Sequence, residues 1–169
     1  MAVTMYQASI PVFQQLLGGL SGVLDKAEAH ANAKKWESGV VLNMRFYPDM
    51  FPLARQVRQA CEHALAPGRI AGVELPKNPD IDTSFEEMKA RISRTLDFLK
   101  TIKPAQLDGQ EDKQVTIPMG GQPRNFRAQS YLFHFAMPNM YFHTTTAYNI
   151  LRHLGVEIGK RDFMGAMPS

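Results

Sequence analysis

The residue types best suited to chemistry in this sequence are an asparagine and a histidine, Asn139 and His143, four positions apart. In a helix this spacing places both side chains on one face, one turn apart. The apolar residues Leu132, Phe135 and Ile150 mark the same face as the inward one. Because polar groups on an inward face need partners, this pair is the first candidate for a site.

Two interpretations of the pair stay open. In the first, His143 ligates a metal ion or acts as an acid or base, with Asn139 beside it and a carboxylate such as Asp49 supplied from the second helix. In the second, His143 and Asn139 form a satisfied, buried hydrogen-bonded pair, and Asp49 only caps the second helix.

The other histidines and the single cysteine are weaker candidates. Cys61 lies among apolar positions and is expected to be a packing residue rather than a nucleophile. His153, at the end of the last helix, is expected to interact with the terminal carbonyls. The apolar stripes predict solvated side chains for the remaining three histidines: His30, His63 and His134.

The elements that must position these residues are helices. Apolar residues recur every three or four positions in four segments, a period typical of amphipathic helices. Pro138 is expected to bend the last of them. The predicted helices cover residues 6–27, about 50 to 68 or 72, 85–99, and about 128 to 153.

Residues 113–127 break the helical pattern. Val115, Ile117 and Met119 alternate with polar neighbours, which indicates a strand. Gly120 and Gly121 follow, and residues 122–126 can return as the partner strand of a hairpin. The sequence therefore predicts one mainly all-α domain over residues 1–169, a four-helix bundle with a small β-hairpin before the last helix.

Composition supports one compact domain and narrows the classes of function. The chain has 169 residues, of which 44% are apolar and 21% charged, enough to bury a sizeable core. The formal net charge of +3 is small and the basic residues are scattered, which argues against nucleic-acid binding.

A single cysteine excludes an internal disulfide, as expected in the cytoplasm. The uncharged stretch before Asp25 is too polar for a membrane span.

Three segments of the chain resemble those of a known family. They are MYQASIPVF at residues 5–13, PDMFPLARQV at residues 48–57, and residues 141–163, which include YFHTTTAY, LRHLG and GKRDF. These segments resemble an uncharacterised bacterial family, a domain of unknown function within the DinB/YfiT-like superfamily. The similarity covers nearly the whole chain.

The resemblance implies a DinB-like four-helix bundle, commonly dimeric, whose better-known relatives bind a divalent metal through three histidines and include thiol-dependent transferases and hydrolases. When the chain is aligned on its LRHLG segment, His143 matches the second of two histidines on the last helix of those relatives, and Asn139 takes the place of the first. Their histidine on the second helix has no counterpart here. The nearest polar residues are Asp49 and Gln56.

Two classes of function follow as hypotheses. One is a divergent metal-dependent transferase or hydrolase with a degraded three-histidine site, in which His143, Asn139 and Asp49 would hold a divalent metal and His143 would be the catalytic residue. The alternative is a non-catalytic dimeric binding or interaction protein, or a small-molecule sensor that uses the cavity of the bundle. In either case the resemblance implies a homodimer. Composition predicts a cytoplasmic protein without a nucleic-acid or membrane partner, and a small-molecule ligand stays open.

Overall fold

The computed structural model describes residues 2–167. Its strands are β1 (Gln114–Met119) and β2 (Gln122–Arg127), a short 3-10 turn covers Pro104–Gln106, and a π-helical segment covers Tyr131–Ala136. The helices are α1 (Met5–Ala33), α2 (Ser38–Leu42), α3 (Leu53–Ala64), α4 (Ala66–Ala71), α5 (Phe85–Thr101), α6 (Ala128–Ser130), α7 (Met137–His153) and α8 (Lys160–Met164).

The predicted bundle and hairpin are confirmed. Helices α1, α3, α5 and α7 pack against one another around one apolar core. In the hairpin, Val115 and Ile117 are the buried residues of β1. Gly120 and Gly121 form its turn with φ values of 58° and 79°, the positive values that the favoured two-residue hairpin turn requires. No helix within residues 2–167 is both long and apolar enough to cross a membrane.

The start of α3 differs from the prediction. Pro52 is the residue before its first turn, and Asp49 does not cap the helix. Asp49 lies exposed in the turn that precedes α3, because the extended backbone at Pro52 separates that turn from the helix. The five-residue helix α2, which buries Val41 and Leu42, was not predicted because it is too short to show a period.

The bend predicted at Pro138 takes the form of a change of helix type. The π-helical segment Tyr131–Ala136 continues directly into α7, and Pro138 occupies the first turn of α7. A proline is tolerated there because its missing N–H is not needed within the new helix. Single π-helical turns inside helices are frequent at functional sites.

The C-terminal tail packs back on the bundle through α8, which contacts α1. A Cβ at Gly19 would overlap the carbonyl oxygen of Phe163, so the absence of a side chain permits the close approach of the two helices. Lys26 and Asp162 form an ion pair of 2.7 Å across this contact.

A buried ion pair fixes the loop before α5. The Asp82 carboxylate accepts hydrogen bonds from Arg91 Nε at 2.8 Å and from Arg91 Nη2 at 3.0 Å. Only 4% of the Arg91 side chain and 1% of the Asp82 side chain are exposed. Because removing one partner would leave a charge without compensation in the core, the pair should be costly to break.

We expect Asp82→Ala to lower the free energy of unfolding, measured by urea denaturation, by about 3–5 kcal/mol. The control is Asp97→Ala, which removes the partner of Lys100 in a pair whose side chains are 67% and 66% exposed, and should change stability by less than about 1 kcal/mol. Equal effects of the two substitutions would contradict the assignment of a buried, compensated charge.

Candidate functional site

An open cleft of about 530 Å³ lies between α3, α7 and the tip of the hairpin. This volume is within the range of small-molecule sites. Four aromatic side chains contribute to its wall: Phe51, Tyr131, Phe135 and Phe142. Six polar residues line it as well: Gln59, Glu62, His63, Arg69, Asn139 and His143.

His143 is held by a hydrogen bond between the two helices that flank the cleft. Its Nδ1 lies 2.7 Å from Oε1 of Gln56 on α3, and only 6% of the residue is exposed. The amide nitrogen of Gln56 donates to the carbonyl oxygen of Phe51 at 3.0 Å, which identifies Oε1 as the acceptor toward His143. The Nδ1 of His143 therefore carries the proton, and Nε2 of the neutral ring carries a lone pair.

A second histidine, His63 of α3, lies beside the first. The two imidazole rings are nearly parallel, with centroids 5.6 Å apart and an interplanar angle of 6°. Phe51 is parallel to His143 at 6.2 Å, and the edges of Phe142 and Phe135 meet His143 and His63 respectively. The aromatic rings leave His143 buried and His63 partly buried at the wall of the cleft.

This environment keeps both histidines neutral. Burial lowers the pKa of His143 from 6.5 to about 4 because the charged form loses its hydration. The pKa of His63 is also lowered to about 4, first by burial and in addition by the neighbouring His143 and Arg69. At neutral pH the two rings are therefore hydrogen-bond acceptors or ligands rather than cations.

The charged groups of the cleft wall form a pair at α4. Nη1 of Arg69 donates to the carbonyl oxygen of Glu62 at 3.1 Å, and Nη2 donates to the Glu62 carboxylate. Tyr131 lies close to this pair: burial raises the pKa of its hydroxyl, and Arg69 opposes that rise. The cleft thus combines neutral imidazoles with one ion pair.

The structure brings two of the three predicted site residues to this cleft. His143 and Asn139 both line it, but the Asn139 amide donates to the Phe135 carbonyl at 2.7 Å, and the Nδ1 partner of His143 is Gln56. The predicted pairing of Asn139 with His143 is therefore replaced by separate partners. Asp49 is exposed and is not among the residues of the cleft wall.

His63 is the site residue that the sequence prediction missed, since it was expected to be solvated. It lies seven positions after Gln56 on α3, which places both residues on one side of the helix after two turns. That spacing is the signal that could have identified it. His30 was also expected to be solvated, but it is half-buried with its ring edge against Trp36 at 5.4 Å.

The expectations for His134 and Cys61 are confirmed, whereas the expected interaction of His153 with the terminal carbonyls stays a prediction. His134 is exposed. Cys61 is buried in the core, and burial raises the pKa of its thiol to about 12, which makes it unreactive. His153 is at the end of α7 and contacts the ring of Phe46 at 5.7 Å.

Comparison with known proteins identifies the family. Residues 5–164 match the family described as domain of unknown function DUF1993. The chain belongs to the DUF1993 family. It is also similar to a crystal structure of a DinB family member protein from Shewanella denitrificans, with a TM-score of 0.89 and 38% sequence identity over 98% of this chain and 94% of that chain. No curated protein sequence matches the chain.

These two matches confirm the resemblance to an uncharacterised DinB-like family and its helical-bundle fold. They do not extend to the three-histidine metal centre that the resemblance implies. Within residues 2–167 no three His, Cys, Asp or Glu side chains lie close enough together to hold a metal ion. The side chains of this DUF1993 protein therefore do not fit that centre. The predicted metal-ligand set of Asp49, Asn139 and His143 is not covered by this statement, because one of its members is an amide. That set stays a prediction.

The shifted pKa values predict a pH dependence of stability. The pKa of His143 is about 4 in the folded chain and 6.5 in the unfolded chain. Between these two pH values the unfolded chain therefore binds more protons than the folded chain. The free energy of unfolding should therefore increase as the pH is raised from about 4 to 6.5, by up to about 1.4 kcal/mol per pH unit for each such histidine. This stabilisation is lost as the pH is lowered toward 4.

Urea denaturation across this window measures the effect. His143→Phe should reduce the slope of stability against pH, even if it lowers stability at every pH by leaving Gln56 without its partner. His134→Gln, which removes an exposed histidine of the π-helical segment, should leave the slope unchanged. An unaltered slope in His143→Phe would show that this histidine is not held neutral by the fold.

Proposed function

We propose that this DUF1993 protein binds a small aromatic molecule through a hydroxyl group, which donates a hydrogen bond to a neutral imidazole of the cleft. One observation supports the proposal above all. Gln56 occupies Nδ1 of His143 and leaves Nε2 as an acceptor on a side chain that lines a partly aromatic cleft. A pocket with apolar walls and a few oriented polar groups is the usual form of a small-molecule site.

The pKa of His143 favours binding over acid–base catalysis. A general base works best when its pKa is close to the operating pH. His143, with a pKa lowered to about 4, accepts a proton poorly at neutral pH. A neutral imidazole remains a good hydrogen-bond acceptor for a hydroxyl or amide N–H, and that is the chemistry of recognition.

The walls of the cleft favour a flat apolar body. Phe51, Phe135 and Phe142 can contact an aromatic ring by stacked or edge-to-face geometry. Ile117 and Met119 of the hairpin add an aliphatic surface opposite the helices. A phenol combines such a body with the donor that His143 requires.

Para-ethylphenol and para-ethylanisole provide the test, because methylation removes the hydroxyl donor and keeps the ring. We expect para-ethylphenol to bind about two- to tenfold more tightly than para-ethylanisole, the effect of one hydrogen bond of about 0.5–1.5 kcal/mol. Isothermal titration calorimetry measures both affinities. Chemical shifts of the His63 and Phe142 rings locate the bound molecule.

The variants distinguish recognition from general adsorption. His143→Phe should bind the two compounds equally, because it keeps an apolar wall and removes the acceptor. His134→Gln, outside the cleft, should keep the preference for para-ethylphenol. Binding of neither compound at millimolar concentration, or no preference in the wild-type protein, would count against the proposal.

A divergent metal-dependent transferase or hydrolase is the second candidate. The tautomer of His143 supports it, since histidines that ligate metals usually donate their other ring N–H to a neighbouring acceptor, as His143 does to Gln56. We expect protein purified without an affinity tag to lack stoichiometric metal when measured by inductively coupled plasma mass spectrometry. Near-stoichiometric metal that disappears in His143→Ala would favour the enzyme instead.

Assembly as a homodimer and location in the cytoplasm are also part of the proposal. The large exposed side chains Phe46, Tyr47, Tyr141 and Phe142 support association with another surface. Sedimentation velocity measures the mass in solution and tests the dimer.

A further inference from the structure

We infer that Arg69 selects ligands that carry a carboxylate, so that the molecules recognised by the cleft are small aromatic hydroxy acids. This inference rests on the proposed function, since it assigns the second polar group of the same ligand. The hydroxyl would meet the neutral histidines, and the carboxylate would meet the guanidinium at α4.

Arg69 is positioned to receive such a group. It lines the same cleft as His143, and 21% of its side chain is exposed. Glu62 accepts from Nη1 and from Nη2 of the guanidinium. A guanidinium has five N–H donors in a rigid fork, so these two bonds orient the group and leave further donors for a carboxylate.

Charge balance in the cleft favours an anion at this position. Among the residues that line the cleft, Arg69 is the cation and Glu62 is the acid. The Glu62 side chain is 48% exposed, so this ion pair is screened by water and contributes little stability. Lys113 lies nearby and donates to the Ile70 carbonyl at 2.6 Å, which adds positive charge beside α4. A ligand carboxylate can therefore bind Arg69 together with Glu62 or in its place.

The neutral state of the histidines sharpens this selectivity. His63 and His143 supply no positive charge near neutral pH, as their lowered pKa values show. An anionic group gains nothing at that end of the cleft and gains a charge-assisted hydrogen bond at Arg69. The two ends of the ligand are thus distinguished by charge.

The test compares para-hydroxyphenylpropionate with its methyl ester and with para-ethylphenol, by isothermal titration calorimetry on the full chain. The acid should bind about tenfold more tightly than the ester or para-ethylphenol, as expected for hydrogen bonds to a charged partner. Arg69→Met should abolish this gain and retain para-ethylphenol binding, which also shows that the variant is folded. Arg124→Met, which removes an exposed arginine of β2 outside the cleft, should keep the gain.

Glu62→Gln gives a second, independent readout, because it removes the internal competitor of the ligand carboxylate. We expect it to increase the affinity for para-hydroxyphenylpropionate relative to that for para-ethylphenol. Equal affinity of the acid and its ester, or a gain that survives Arg69→Met, would overturn the inference while para-ethylphenol binding upholds the proposed function. Failure of all three compounds to bind would reject the proposed function together with the inference.

Discussion

The hydrogen bond between His143 and Gln56 is the constraint on which the cleft depends. It joins α7 to α3, two helices that pack closely in the bundle, and Gln56 is itself only 1% exposed. A buried amide must satisfy both its oxygen and its nitrogen, and this one does so with His143 and the Phe51 carbonyl. The bond therefore fixes the imidazole orientation, its tautomer and the position of Phe51 together. A shift of either helix along its axis would break the bond between His143 and Gln56 and leave two buried polar groups without a partner.

The irregular elements around that bond open the space beside it. The π-helical segment before α7 carries Tyr131 and Phe135, and both reach the cleft wall. Asn139 donates its amide to the Phe135 carbonyl, a local side-chain bond of the kind that competes with regular helical pairing, at the place where the helix type changes. The hairpin then covers the opposite side with Ile117 and Met119. Without these elements the cleft would lack both its hairpin wall and the aromatic wall of the π-helical segment.

Strong periodicity made the long helices and the hairpin predictable from the sequence, since each element shows its pattern over several turns or in a clear alternation. The same pattern placed His143 on an inward face. Periodicity could not supply its partner, because Gln56 and His143 are 87 positions apart and no local signal links them. Only the resemblance named Gln56, as one of two polar candidates on the second helix. His63 was missed for a related reason: the groups that bury it include Phe135 and the hairpin tip, both distant in the chain. The π-helical segment and α2 were also beyond prediction, because neither extends far enough to show a period.

Desolvation explains why the polar groups of the cleft are distributed as they are. An ionised group is costly to bury unless it is paired, whereas a neutral imidazole needs only its hydrogen-bond partners. His143, 6% exposed, therefore becomes neutral, and Glu62, whose side chain is 48% exposed, remains an anion paired with Arg69. With the neutral side chains of His143, Gln56 and Asn139 at this place, charge in the cleft is confined to Glu62 and Arg69. This distribution of charge favours a ligand with an apolar body, a neutral hydrogen-bond donor that meets the histidine, and a charged group that meets Arg69.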